Sequence, residues 1–314
     1  MRVLYGINGT GNGHITKSLQ VISRLESRGH SVETLVSGAN SNLLMGRPPG
    51  MRAKGFTFVY SSGGVDLART VLGADIVSFA RDLSLDLSGY DAVVTDFEPV
   101  TAWACRLRRR ECIGISHQHS FLSEKCPRPA RASWAQEAFM RWFSPVLRHA
   151  GIHFMRYGDY VYPPIIRPSV AEATPTNEGH VTVYLPTHDP LVVAESLSGL
   201  GRPLHVFCPD PPAPTGNATF LPLGLDGFTD SMVRCDTVVT AAGFETPAEA
   251  LVLGKRLVVV PIAGQYEQAC NAAALKRMGV RVADSIGGVA GGGATAVDYR
   301  WEDPIDEILD NLGF

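Results

Sequence analysis

The fold is decided by the stretch VLYGINGTGNGH, residues 3–14, in which an apolar run enters a loop with glycine at alternate positions. The apolar run predicts a buried strand over Val3 to Ile7. Apolar residues then recur at helical spacing, and Gly29 stands where a helix C-cap is expected. A second run over Ser31 to Val36 predicts the next strand. Residues 3–36 therefore form one β-α-β unit, the building block of a parallel sheet.

The same alternation continues along the chain and restarts after a proline-rich gap. Further strands are predicted at Phe56 to Tyr60, Ala92 to Thr95, Cys112 to Ser116, Val181 to Leu185, Leu204 to Phe207, Thr237 to Thr240 and Leu257 to Val260. We therefore predict an α/β protein with two tandem Rossmann-like domains that face each other across a crevice. Ligands of such sheets bind outside the carboxyl ends of the strands.

The domain boundaries follow from this pattern. An N-terminal domain is predicted over 1–156 and a C-terminal domain over 179–300. Because prolines interrupt 157–178, we expect a linker there without regular structure. The last residues, 301–314, are predicted to form a helix that returns to the N-terminal domain.

Composition narrows the class of protein. A chain of 314 residues with 45% hydrophobic and 19% charged residues has the balance of a globular protein. A net charge of −3 gives no broad basic field, so nucleic acid is not an expected partner. The N-terminal apolar run is too short for a signal peptide, which predicts a cytoplasmic protein. The six cysteines show no metal-binding spacing and are expected to be reduced thiols.

The glycine loop ends in His14, in the first turn of the predicted helix. The spacing does not meet the GxGxxG pattern of dinucleotide binding, so NAD or FAD is disfavoured as a ligand. A helix N-terminus disfavours the imidazolium cation, so His14 can stay neutral and accept a proton as a general base. The alternative is a capping or packing imidazole without a chemical role.

Polar residues also follow the fourth and fifth predicted strands. Asp96 is expected to orient His14 and to stabilise the cation that forms when it takes a proton. Glu98 lies on the same face if the chain stays extended, and it is predicted to contact the acceptor. Two alternatives are a helix N-cap and an acidic metal pair. His117 and His119 are predicted to contact the acceptor, with a zinc site as the weaker alternative.

A second site is predicted after the strand Thr237 to Thr240. Pro247 suits the first turn of a helix, and Thr246 is placed as its N-cap. Such a helix start can hold a diphosphate through backbone N-H groups without a metal. Glu249 can accept hydrogen bonds from a ribose, although a capping box with Thr246 is nearly as good an interpretation. Polar side chains after Val260 suit a polyhydroxylated sugar.

Together these residues resemble the GT-B glycosyltransferases over nearly the whole chain. The loop Gly9 to His14 is similar to the glycine-rich loop and histidine of the UDP-glycosyltransferases and of the peptidoglycan N-acetylglucosaminyltransferase. Residues Asp91 to Ala104 resemble the segment that carries their histidine-paired aspartate, which falls on Asp96. The Thr-Asp-Phe-Glu-Pro and Gly-Phe-Glu-Thr segments resemble a group of bacterial and archaeal glycosyltransferase-like proteins. In departure from the pattern, the chain is short and Glu267 replaces an aspartate.

The resemblance implies an inverting, metal-independent transfer from a nucleotide-diphosphate sugar, with UDP as the expected nucleotide, to an acceptor hydroxyl. The implied donor contacts are Gly11, Gly13, Gly243, Phe244, Thr246, Glu249, Glu267, Gln268 and Asn271. No cofactor is expected beyond the donor substrate. Two alternatives remain open, a nucleotide-sugar epimerase or hydrolase on the same fold and a non-catalytic sugar-binding protein.

A last prediction concerns the segment Arg131 to His149, where aromatic and basic residues alternate near the arginines of 106–110. On one helix, such residues can lie at a membrane surface with the rings among the headgroups. This predicts peripheral membrane contact at the inner face of the membrane. The competing interpretation is an ordinary core-packing helix.

Overall fold

The computed structural model describes residues 1–9, 12–38, 50–55, 60–61, 64–65 and 75–314. The chain divides into two compact units. The first contains Met1–Cys126, Ala132–Ile165 and Glu302–Phe314, and the second contains Pro127–Arg131 and Ile166–Trp301.

The first unit is built on a parallel sheet of the strands β1 (Arg2–Asn8), β2 (Ser31–Ser37), β3 (Met51–Ala53), β6 (Ala92–Asp96), β7 (Ile113–Ser116), β8 (Arg148–Ile152) and β9 (Val161–Tyr162). Their order in the sheet is β3-β2-β1-β6-β7-β8-β9. A separate antiparallel pair is formed by β4 (Tyr60–Ser61) and β5 (Gly64–Val65). The helices described in this unit are α1 (Asn12–Ser27), α2 (Ile76–Asp82), α3 (Pro99–Leu107), α4 (Trp134–Phe143) and α10 (Ile305–Leu312).

The second unit has a parallel sheet of the strands β10 (Val181–Tyr184), β11 (Leu204–Cys208), β12 (Ala218–Pro222), β13 (Thr237–Ala241), β14 (Arg256–Val260) and β15 (Arg281–Val282). Their order in the sheet is β12-β11-β10-β13-β14-β15. Its helices are α5 (Pro168–Ala171), α6 (Pro190–Leu197), α7 (Leu225–Arg234), α8 (Glu245–Val252) and α9 (Tyr266–Arg277).

The central strands explain why apolar runs in the sequence predict this architecture. Helices cover both faces of a parallel sheet, so its central strands are apolar on both sides. In β1 the residues from Val3 to Ile7 are all buried, and β13 is buried along its whole length. The predicted α/β class with two Rossmann-like domains is therefore confirmed. All six cysteines are buried, and none of them forms a disulfide within the described residues.

The C-terminal helix α10 belongs to the first unit, where it packs against α1 and β8. Arg28 anchors it through ion pairs with Asp306 and Asp310, with nitrogen-oxygen distances of 2.6 and 2.7 Å. Arg156 pairs with Glu307 at 2.6 Å. These exposed pairs add little stability individually, but they fix the position of the amphipathic helix whose apolar face is buried.

The structure differs from two of the predicted segments and does not describe most of a third. The segment Arg131 to His149 is not one helix, because Pro145 disfavours helical backbone at Ser144 and the chain continues into β8. The segment 157–178 contains the short elements β9 and α5 instead of lacking regular structure. Of the predicted strand Phe56 to Tyr60, residues 56–59 lie outside the described residues. None of the described helices is long and apolar enough to cross a bilayer.

Candidate active site

The first cluster of functional side chains lies at the carboxyl ends of β1 and β6. These strands are neighbours in the sheet, and Ile7 pairs in register with Asp96. The chain leaves β1 and begins α1 at Asn12, which places His14 in the first turn. The Nδ1 atom of His14 lies 3.0 Å from Oδ1 of Asp96. The two residues predicted to act together are thus in direct contact.

This contact fixes the hydrogen-bonding roles of the imidazole. A carboxylate can only accept, so Nδ1 of His14 must be the donor. Nε2 then carries the free lone pair of the neutral ring, which is the tautomer required of a general base. The His14 side chain is 14% exposed, whereas that of Asp96 is fully buried. The imidazole can therefore meet a substrate that the carboxylate cannot reach.

Asp96 has a full set of partners. Its Oδ1 also lies 3.0 Å from Nζ of Lys17, and Ser18 Oγ donates to its Oδ2 at 2.9 Å. Burial alone raises the pKa of Asp96, but the charges of Lys17 and His14 outweigh this effect and lower the pKa to about 2. Asp96 is therefore an anion throughout the neutral pH range.

The backbone turns sharply directly after Asp96. Phe97 has a φ of +52°, a left-handed conformation that costs a non-glycine residue free energy and is often found at functional sites. The side-chain amide of Asn8 donates to the Phe97 carbonyl at 3.1 Å, and the Phe97 ring packs on Phe143. These contacts hold the turn and thereby the position of the carboxylate before it.

Glu98 is predicted from sequence to contact the acceptor, but in the structure its carboxylate is fully buried at the start of a helix. The turn at Phe97 ends the extended chain, so Glu98 no longer shares a face with Asp96. Its fully buried carboxylate caps α3 by accepting from the Val100 and Thr101 amides, both at 2.7 Å. It also accepts from Ser37 Oγ at 2.6 Å. The alternative of a helix N-cap therefore holds for Glu98, and the two carboxylates have separate partners.

The close packing at this cap explains a glycine in β1. A Cβ atom added at Gly6 would lie 2.4 Å from Oγ1 of Thr101 and 3.0 Å from a carboxylate oxygen of Glu98. Only glycine allows the start of α3 to approach β1 so closely. Gly6 therefore belongs to the structural support of the site.

His117 and His119 are also buried, although the sequence predicts that they contact the acceptor. The chain enters a short 3₁₀ helix directly after β7 and turns both rings inward. Nδ1 of His117 donates to the Ile152 carbonyl at 2.8 Å. Nε2 of His119 donates to the Ser144 carbonyl at 3.1 Å, and burial lowers the pKa of His119 to about 4. Both are buried core residues, and His119 is neutral near pH 7.

The glycines predicted to face phosphate are only partly within the described structure. Gly11 lies outside the described residues. Gly13 is half-buried in the first turn of α1, one residue before His14. Its contact with a donor remains a prediction.

In the second unit, the loop after β13 leads into α8 as predicted, but the helix starts earlier. It begins at Glu245, and Phe244 is its N-cap residue, without a side-chain hydrogen bond to the first turn. Thr246 is therefore not the N-cap and lies inside the first turn, with Pro247 following it. A Cβ atom added at Gly243 would meet no atom within 4 Å. The start of α8 carries no side-chain acceptor at its cap.

Glu249 has a partner that the sequence did not indicate. Nε of Arg167 donates to its Oε1 at 2.6 Å, and an Nη atom of Arg167 donates to its Oε2 at 2.9 Å. Both side chains are only 9% exposed. The carboxylate forms this ion pair instead of the capping box with Thr246. Because each carboxylate oxygen has two acceptor sites, a bidentate pair with arginine leaves capacity for further donors.

The third set of predicted donor residues lies at the start of α9. Oε1 of Gln268 accepts from the Ile262 amide at 2.9 Å and so fixes the loop after β14. The buried amide of Asn271 donates to the Ala242 carbonyl at 3.1 Å, which ties α9 to the end of β13. Glu267 is half-buried beside them. These residues hold together the loops that follow two adjacent strands.

Comparison with known proteins identifies the family. The family model described as glycosyl transferase family 1 matches residues 1–287. The chain belongs to this family. It is thus a glycosyltransferase, and the resemblance inferred from the sequence is confirmed. The comparison with curated proteins gives no match.

Solved structures similar to this family 1 chain are GT-B glycosyltransferases, which confirms the fold. Spinosyn forosaminyltransferase SpnP is 14% identical, with a TM-score of 0.58, and the match covers 90% of this chain and 86% of that one. MurG of Acinetobacter baumannii is 18% identical, with a TM-score of 0.52 and coverage of 90% and 85%. Phytolacca americana UGT2, solved with UDP-2-fluoro-glucose and pterostilbene, is 15% identical, with a TM-score of 0.61 and coverage of 92% and 88%.

The sequence analysis missed two cationic residues of this glycosyltransferase. They are Lys17, which pairs with Asp96, and Arg167, which pairs with Glu249. Lys17 is three residues after His14, so helical spacing places both side chains on one face of α1. Arg167 precedes Pro168 in the segment interpreted as a linker, and nothing in its surroundings marked it. The spacing could have revealed Lys17, whereas Arg167 reaches Glu249 only through the tertiary fold.

Proposed function

We propose that this glycosyltransferase moves a sugar from a UDP-sugar to an acceptor hydroxyl with inversion at the anomeric carbon. Nε2 of His14 takes the hydroxyl proton while the acceptor oxygen attacks the anomeric carbon. The bond to the diphosphate oxygen breaks, and its electron pair leaves with the nucleoside diphosphate. Asp96 holds the imidazole in the required tautomer and stabilises the imidazolium that forms.

The observation that carries this proposal is the 3.0 Å contact between His14 and the fully buried Asp96. A base with a fixed tautomer is useful for activating a hydroxyl, but sugar binding alone does not need one. A carboxylate with a pKa of about 2 keeps its charge while the imidazole takes up and releases a proton. A non-catalytic binding protein would gain nothing from this arrangement.

We assign donor binding to the second unit. The start of α8, with Gly243 before it, offers backbone N-H groups and the positive end of a helix dipole to the diphosphate. Glu249 is proposed to accept hydrogen bonds from the ribose hydroxyls while Arg167 holds its carboxylate. Glu267 and Gln268 are proposed to contact the transferred sugar, for which amide and carboxylate groups suit vicinal hydroxyls.

Donor binding can be tested before the acceptor is known. A thermal-shift screen with nucleotides and nucleotide sugars should show a rise in melting temperature with UDP and UDP-sugars, since a ligand of the folded state stabilises it by mass action. A shift with another nucleotide and none with UDP would reassign the donor. Absence of a shift with every nucleoside diphosphate would contradict the assignment of the donor site.

We expect activity to survive EDTA. The proposed diphosphate site uses helix-terminal N-H groups, which can neutralise the leaving charge without a divalent cation. Rates measured after dialysis against EDTA should equal those measured with added Mg²⁺ or Mn²⁺. Complete loss in EDTA that either cation restores would show that the reaction needs a metal.

We further propose that the acceptor side of this enzyme contacts an anionic membrane surface through α4. Trp134 is 85% exposed and Trp142 is 47% exposed, although aromatic rings are normally buried. The guanidinium of Arg106 lies 4.9 Å from the centre of the Trp142 ring, and Arg141 is exposed beside it. Exposed rings with neighbouring cations are typical of peripheral binding to lipid headgroups. The competing core interpretation holds for Met140 and Phe143, which are buried.

We expect the protein to bind anionic vesicles, and we expect this binding to weaken as the salt concentration rises. The protein should sediment with phosphatidylserine vesicles at low ionic strength, and the double variant Trp142→Gln with Arg141→Gln should sediment much less. A matched control changes the exposed Leu191 and Lys276 of the second unit to glutamine, which removes the same kinds of group elsewhere. Equal sedimentation of both double variants, or no sedimentation of the wild type, would contradict membrane contact.

A further inference from the structure

Lys17 is a buried cation for which the proposed reaction has no use so far. Its side chain is only 1% exposed, although lysine is almost never fully buried unless it is paired. Its ammonium nitrogen lies 3.0 Å from Oδ1 of Asp96. Removing an ammonium group from water is costly, so the ion pair with Asp96 must offset that cost.

Lys17 and His14 share a single oxygen atom. Both Nζ of Lys17 and Nδ1 of His14 lie 3.0 Å from Oδ1 of Asp96, whereas Ser18 occupies Oδ2. The two nitrogens are therefore within about 6 Å of each other, the range in which one charge changes the protonation of another. With a neutral imidazole, the group of three has no net charge. Protonation of His14 would give these three side chains a net positive charge in a largely buried environment.

The other titratable groups near Asp96 add no charge that competes with Lys17 or His14. Tyr5 of β1 interacts with Asp96, but burial raises the pKa of Tyr5 well above its ordinary value. His119 interacts with both Asp96 and Lys17, and burial lowers its pKa to about 4. Both are neutral near pH 7. The carboxylate of Glu98 is occupied by its hydrogen bonds at the start of α3. Among the described residues, Lys17 is thus the cation that competes with His14 for Asp96.

Resting on the proposed function, we infer that Lys17 is a positioning residue whose charge offsets the attraction of Asp96 for a protonated His14. A buried aspartate alone favours the imidazolium, the form that cannot take a proton from the acceptor. Lys17 cancels part of that attraction. Asp96 can then orient the imidazole ring while Nε2 stays unprotonated. Nε2 remains able to take the proton of the acceptor hydroxyl.

A titration of His14 by NMR tests this inference without any substrate. The chain has nine histidines, and the His14 signal is the one absent from the His14→Gln variant. In Lys17→Met, the midpoint of the His14 titration should move upward by about 1 to 2 pH units, as expected for the loss of a unit charge about 6 Å away. Lys17→Arg should restore the wild-type midpoint. An unchanged midpoint in folded Lys17→Met would overturn the inference.

A second pair of variants covers the case in which Lys17→Met does not fold because the buried Asp96 has lost the ammonium group that pairs with it. In the Asp96→Asn background, the midpoint of His14 should be higher when Lys17 is also replaced by methionine than when it is present. Equal midpoints in this pair would overturn the inference. A purely structural Lys17 would alter stability in both backgrounds without moving the titration.

The kinetic readout separates this inference from the proposed function. The rise of kcat with pH should move upward in Lys17→Met by the same 1 to 2 units, and kcat at the new optimum should stay within about tenfold of wild type. If the wild type transfers no sugar but the His14 titration moves as expected, the charge coupling holds and the proposed function fails. If His14→Ala abolishes transfer but Lys17→Met moves neither curve, the proposed function holds and the role of Lys17 is wrong.

Discussion

His14→Ala is expected to lower kcat by about 10² to 10⁴-fold, the contribution typical of a general base, while the affinity for the donor stays near that of wild type. The reason is that the imidazole acts on the acceptor proton, whereas the donor is assigned to the second unit. The Kd of UDP from calorimetry and kcat from product formation give the two quantities separately. Similar losses of donor binding and of turnover would remove His14 from the role of base.

Asp96→Asn should have a comparable effect on kcat, because an amide can also favour the wrong tautomer of His14. It also leaves the ammonium of Lys17 without its carboxylate, so a loss of stability is expected alongside the kinetic effect. Ser18→Ala is a matched control, since it removes only the hydrogen bond to the other carboxylate oxygen. Its kcat should change far less than that of Asp96→Asn.

Arg167→Met is expected to lower the free energy of unfolding by about 3 to 5 kcal/mol. The substitution leaves the buried carboxylate of Glu249 without its bidentate partner, and one partner of a buried ion pair is costly to remove. Urea unfolding followed by circular dichroism measures the change. Arg234→Met is the matched control, because Arg234 pairs with Asp230 and Glu178 at the surface and should contribute less than about 1 kcal/mol.

The ion pair of Arg167 and Glu249 is expected to support donor binding as well as stability. Glu249→Gln should weaken UDP binding by about 1 to 3 kcal/mol, the usual value for a hydrogen bond to a charged group, and Arg167→Met should weaken it through the freed carboxylate. UDP affinities that stay at the wild-type value in both variants, despite reduced stability, would show that the pair is structural and that Glu249 does not bind the ribose.

Much of the fold could be predicted because its central strands are continuous apolar runs. β1, β6 and β13 are buried on both faces and are recognisable from the sequence alone. β8 could not be recognised in this way, because RHAGI combines two polar and two small residues. Its conformation results from pairing with β7, so tertiary context overrides its weak local preference.

The site was partly predictable for a similar reason. His14 and Asp96 follow adjacent parallel strands, and the ends of such strands bring distant residues together. Glu98 and the two histidines after β7 were misplaced because alternation predicts direction only while the chain stays extended. A single left-handed residue, Phe97, and one turn of 3₁₀ helix reverse the direction of these side chains. Such local backbone changes leave no periodic pattern in the sequence.

The measurement that tests the central claim most directly is the release of nucleoside diphosphate from a UDP-sugar with and without a panel of hydroxyl acceptors. The proposed mechanism predicts that one acceptor class raises the release rate in the wild type and becomes glycosylated with inverted anomeric configuration. It also predicts that His14→Ala abolishes this increase although the variant still binds UDP. Turnover of the UDP-sugar that is independent of any acceptor and unchanged in His14→Ala would contradict the mechanism, as would a product with retained configuration.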